Sequence, residues 1–180
     1  PTGRPAGVAD CYTAESSTHP ATLEFWRVMH EGDYEARDAA IEKLAAASAQ
    51  HPKEEQFALL HAHANMWRAA ERQTVQDSLG ALDSTRTAER EFMRAYALCP
   101  TDHRIPVWLG TLQMLLGRLT SDTALVDQGA SMLDRALQLY PVFARFGNVV
   151  GYAELPRTDP LFMRALDAAR NYTKSTADYC

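Results

Sequence analysis

Glycine-rich phosphate loops, paired-cysteine metal motifs, zinc-protease helices and calcium loops are all missing from this sequence. Their absence removes the motif-borne chemistries of nucleotide, zinc and calcium sites, and no catalytic residue, metal ligand or cofactor is assigned. Lysine is scarce, 3 against 15 arginines, and the formal net charge is −5. A net negative chain is a poor match for nucleic acid or anionic lipid as its main partner. No apolar run approaches the roughly 18 residues of a membrane span. Cysteine occurs three times, at positions 11, 99 and 180. The first residue is Pro1, so the chain reads as processed, trimmed or incompletely shown, and the lack of a visible signal peptide carries no weight.

What the chain does have is 180 residues that are 46% apolar, enough for a substantial core. Small and bulky apolar residues recur at fixed spacing. Ala88, Phe92, Ala95 and Pro100 are matched, interval for interval, by Ala40, Leu44, Ala47 and Pro52 and by Gly129, Leu133, Ala136 and Pro141. Ten residues beyond the three prolines stand Ala62, Gly110 and Gly151. Small residues let a neighbouring helix cross closely, a bulky residue one turn on fills the groove, and a proline marks where the next helix begins.

This pattern resembles the tetratricopeptide repeat, a helix-turn-helix unit of about 34 residues that stacks into a right-handed solenoid. The likeness covers residues 21 to 153 and is degenerate. The prolines are separated by 48 and 41 residues, which exceeds the family period of about 34 by whole heptads and implies longer helices facing the same way. Trp67 and Trp108 do not occupy equivalent first-helix places. The expected fold is all-α, a right-handed α-α superhelix of about three hairpins plus a C-terminal capping helix. Expected boundaries are an extended arm over 1–20, the repeat domain over 21–153 and the cap over 154–180.

Along the chain, a helix is predicted from Pro20 to near Gly32, with a partner reaching Gln50 and turning Ala39, Ala40, Leu44 and Ala47 inward. A long helix follows Pro52, Gly80 marks a break, and the return helix ends at Leu98. Thr101 and Asp102 are candidate caps for a helix over Pro106 to Arg118. A turn at Thr120 to Asp122 leads to a helix ending near Tyr140. Asp159 and Pro160 open the last helix, whose Leu161, Phe162, Leu166 and Ala169 suit an end cap.

The candidate chemistry is sparse. His61 and His63 stand about 200° apart around a helix, so one should face inward and one outward. Met66, Met93 and Met114 sit at similar places in successive helices and suit core filling better than a soft-metal site. Cys99, between Leu98 and Pro100, reads as a small core residue. Asn171, Tyr172 and Thr173 form a glycosylation sequon. Cys11 and Cys180 are either separate surface thiols or a bridge stapling both ends, worth roughly 5 kcal/mol by loop entropy. A bridge would place the chain in an oxidising compartment, periplasmic or secreted; otherwise it is cytoplasmic.

The resemblance implies a concave groove. Aligned on the prolines, its lining includes Gln56, Leu59, His63 and Met66, then Arg104, Val107, Thr111 and Met114, then Arg145, Asn148 and Tyr152. Arg104 and Arg145 each follow a proline by four residues and suit a carboxylate or acidic peptide. The Lys and Asn clamp by which some family members grip a peptide C-terminus is not supported, since Leu59, His63 and Val107 stand in its place. The function implied is a protein interaction module, an adaptor or scaffold. The alternative is a small-ligand or transport-accessory protein with a pocket lined by Trp67, Met66, Met114 and Tyr152.

Overall fold

The computed structural model describes residues 11 and 13–141, together with 144, 157, 158, 160, 162, 163, 166, 167, 169 and 170. Among these residues seven helices have both ends described, and no strand occurs. Each helix begins and ends for a local reason. Helix α1 (Ala14–Thr18) starts where the Thr13 hydroxyl accepts the Ser16 N–H at 3.0 Å. Helix α2 (Pro20–Glu31) is capped by the ring of His19, with Pro20 in its first turn, and ends at Gly32, whose φ of 67° only glycine adopts without strain. Helix α3 spans Arg37–Gln50 and α4 spans Glu55–Thr74. Helix α5 (Ser78–Leu98) is capped by Asp77, α6 runs Ile105–Thr120, and α7 (Thr123–Leu139) is capped by Asp122.

Consecutive helices pair as hairpins α2–α3, α4–α5 and α6–α7, and α3 also packs on α4. The recurring positions of the sequence are the seams of these hairpins. Ala40, Leu44 and Ala47, then Ala88, Phe92 and Ala95, then Leu133 and Ala136 are all buried, as is Gly129. Prolines 52, 100 and 141 stay exposed.

The chain divides into two compact units, one spanning Ala9–Asp102 and the other built from His103 onward. That boundary falls inside the single repeat domain expected for 21–153. Apolar contacts explain the division. The first unit closes around Phe25, Ile41, Leu44, Phe57 and Leu60; the second closes around Val107, Met114, Leu133, Ala136 and Ala144. In the second unit the backbones of α6 and α7 nearly touch. A Cβ at Gly110 would lie 2.7 Å from the Gly129 carbonyl oxygen, and one at Gly129 would lie 2.6 Å from that of Gly110.

Several local expectations are corrected. Residues 14–18 are helical, not extended, because Thr13 caps them. Ala39 is exposed and Ile41 takes the inward place. The break after α4 lies at Val75–Asp77, where Gln76 has a φ of 61°; Gly80 sits inside α5 and donates its N–H to Asp77. Helix α6 has Arg104, and neither Thr101 nor Asp102, at its N-cap position. In the expected cap, the described residues Phe162, Leu166 and Ala169 are helical, with Leu166 exposed, and Leu161 lies outside the described residues.

Candidate functional site

The Ala9–Asp102 unit holds a cleft of about 240 Å³ lined by Val28, Met29, Tyr34, Arg37, Trp67 and Glu71. Helix α2, the turn after it, the start of α3 with Arg37, and α4 make it. The C-terminal half of α2 supplies Val28 and Met29. The αL turn at Gly32 then reverses the chain, so that Tyr34 stands at the rim with 71% of its surface exposed. Trp67 and Glu71, four residues apart, project from one face of α4. Trp67 is held by stacking on Phe25, with ring centroids 5.7 Å apart and planes 3° from parallel. On this side the wall is apolar.

Charge lies along one edge. Arg37 pairs with Glu71 and, at 3.2 Å, with Asp38; Arg68 reaches Asp38 at 2.9 Å. Two arginines thus alternate with two carboxylates, and the edge is close to neutral. The hydrogen bond from Arg68, more than that from Arg37, holds the Asp38 carboxyl below the ordinary carboxylate range. Helix α2 also exposes Leu23 and Trp26.

A second polar cluster joins α3, α4 and α5. His61 Nδ1 lies 3.7 Å from a Glu91 carboxylate oxygen, Glu91 pairs with Arg94 at 3.2 Å, and Arg94 reaches the Ser48 hydroxyl. Burial alone would raise the Glu91 pKa, but His61 and the nearby Arg94 and Arg90 outweigh it and bring it down. His63 sits edge-on to Phe92 with centroids 4.9 Å apart, and its Nδ1 lies 2.9 Å from the Leu59 carbonyl oxygen. The two histidines were expected to face opposite ways. Both are half-buried and both meet α5, one through Glu91 and the other through Phe92. No group of three or more metal-ligating side chains occurs among the described residues.

The predicted groove residues have separate fates. Gln56 is buried, with its side-chain oxygen accepting hydrogen bonds from Ser16 at 2.7 Å and Ser17 at 3.1 Å. Met66 and Trp67 are half-buried, and only Trp67 lines the cleft. Thr111 donates to the Val107 carbonyl oxygen, and Met114 is fully enclosed against Leu133 and Gly129. Met93 is exposed, so the three methionines are not equivalent. Arg104 is half-buried at the start of α6. Arg145, Asn148 and Tyr152 lie outside the described residues.

The disulfide expectation is corrected. Cys11 is bonded to Cys99, with Cα atoms 6.0 Å apart, which leaves it unable to pair with Cys180, itself outside the described residues. Cys99 is buried at the end of α5, as a core residue would be, yet it is a bridge partner.

Sequence reasoning missed Val28, Met29, Tyr34, Arg37 and Glu71. The one local signal was the spacing of Trp67 and Glu71 on a helix face; the other residues converge only through the α2–α3 turn. No helix among the described residues is long and apolar enough to cross a membrane. The chain matches no known family model, and no curated protein or solved structure is measurably similar to it.

Proposed function

We propose that the protein is an interaction module, of tetratricopeptide-like build, that anchors an apolar side chain of a partner segment in the cleft between α2, α3 and α4. The observation that carries this reading is the size and lining of the cleft. At about 240 Å³ it is smaller than the roughly 300–1,000 Å³ of small-molecule sites, and its walls are mainly apolar and aromatic. Such a space fits one large side chain, the usual form of an interface hot spot. Exposed Tyr34 and the neutral Arg37–Glu71 edge offer hydrogen bonds to the partner backbone around that anchor. The small-ligand alternative draws on the same cleft and is less well served by its volume.

A partner of acidic character rests on Arg104 and Arg145, and the neutral edge of the cleft adds nothing to it. The Cys11–Cys99 bridge supports an oxidising compartment, periplasmic or secreted.

Selection of peptides from a random displayed library tests the reading. Binders to the wild-type chain should share one aromatic or large aliphatic anchor, lose at least about tenfold in affinity to Met29→Trp, which fills the cleft, and keep their affinity for Leu23→Ala. Anchored binders indifferent to Met29→Trp would remove the cleft from the account.

A further inference from the structure

Residues 11 and 13–18 lie as a strap against the N-terminal ends of α2 and α4, and among these described residues no large apolar side chain fastens it. Its helix, Ala14–Thr18, contains only Ala, Glu, Ser and Thr, and five residues are far too few for a helix to persist in water unaided. The fastenings are polar. Thr13 donates to Glu54 at 3.0 Å, Ser16 and Ser17 donate to Gln56, and Thr22 donates to the Ser16 carbonyl oxygen at 2.8 Å. Ser16, Thr22 and Gln56 are all buried by this arrangement. Water can replace every one of those hydrogen bonds, so the seam loses little when it opens. A further fastening is covalent, Cys11–Cys99.

We propose that this bridge is a redox latch: its reduction by a dithiol releases the 11–18 strap and uncovers Gln56, while the α4–α5 pair stays folded. The chemistry is thiol–disulfide exchange. A reductant thiolate attacks Sγ of Cys11, which is partly exposed where Cys99 is 1% exposed. The Cys11–Cys99 bond breaks and Cys99 leaves as a thiolate that takes up a proton. The second thiol of the reductant then displaces Cys11 from the mixed disulfide, so two electrons pass to the bridge and the reductant departs as its own disulfide. The Thr101 hydroxyl lies 3.7 Å from Cys99 Sγ and 4.0 Å from Cys11 Sγ, within reach of both sulfurs.

The uncovered floor is hydrophilic, which separates a latch from a structural staple. Opening exposes the Gln56 amide and the Thr22 hydroxyl, whereas Phe25, Leu44, Phe57 and Leu60 remain enclosed by α2, α3 and α4.

The test is glutamyl-endopeptidase cleavage after Glu15 in the full chain, oxidised against dithiothreitol-treated, with far-UV circular dichroism recorded in parallel. The reduced chain should be cut there at least about tenfold faster with its helical signal retained, as expected for opening of a local unit. Cys11→Ser should behave like the reduced chain without any reductant. Equal cleavage in the two redox states, protection persisting in Cys11→Ser, or loss of the helical signal together with strap release would each overturn the proposal.

Discussion

The hairpins α4–α5 and α6–α7 solve one packing problem in two ways. In α4–α5 the seam is built on alanines: Ala58, Ala62 and Ala69 face inward on one helix, and Ala81, Ala88 and Ala95 on the other. In α6–α7 the close point is glycine against glycine, Gly110 and Gly129, each carbonyl oxygen within 2.7 Å of where the other's Cβ would be. An alanine seam keeps a methyl's clearance and leaves room for polar side chains at its edge, as in the cluster of His61, Glu91 and Arg94. A glycine seam brings the backbones themselves together and tolerates no added atom. The repeat positions are thus equivalent in register but not in the freedom they leave to mutation.

That contrast can be broken from the larger effects downward. Phe92 fills the groove of α4–α5 and is fully enclosed, so Phe92→Ala should lower unfolding stability by about 3–5 kcal/mol in urea titration. Gly110→Ala should cost about 2–3 kcal/mol by overpacking against the Gly129 carbonyl, with segment-resolved hydrogen exchange placing the loss in α6 and α7. A cost below that of Ala62→Gly would show the close approach to be relaxed in solution. Ala62→Gly, the reverse exchange in the alanine seam, should cost about 1–2 kcal/mol from helix propensity and one lost buried methyl.

The smallest effect concerns charge within the first unit. Asp38 and Glu91 both lie in the Ala9–Asp102 unit and both have carboxyl pKa values lowered on folding. The unfolded chain takes up these protons in the ordinary range, about pH 3.9–4.3, whereas the folded chain holds them off until lower pH. Their contribution is therefore complete above that range and fades as pH falls through it and below. Replacing Asp38, whose side chain is 60% exposed, by Asn should flatten the acid limb by less than about 1 kcal/mol. An unchanged acid limb in Asp38→Asn would locate the pH dependence elsewhere.

The seams were legible in the sequence because each is a short-range pattern. Ala88, Phe92 and Ala95 lie within about two turns of one helix, and helical spacing alone puts them on one face. The cleft was not legible, since Met29, Tyr34 and Trp67 come from separate elements and meet only after α2 turns at Gly32. Gly80 read as a break because glycine punctuates helices, but here it provides clearance beside the Asp77 cap. The strap read as an extended arm because Ser and Thr compete with helical hydrogen bonds; Thr13 and Gln56 turn those same hydroxyls into fastenings. The partner of Cys11 depended on where the end of α5 arrives, which no spacing between cysteines encodes.

The bridge from residue 11 to residue 99 also makes nearly the whole first unit a covalent ring. Tension applied to the chain from outside the ring passes through the sulfurs and does not load helices α1 to α5. The sequence separation of 88 residues corresponds to about 300 Å of extended chain that stays hidden from a pulling force. In the oxidised protein this unit behaves, mechanically, as a short link of fixed length.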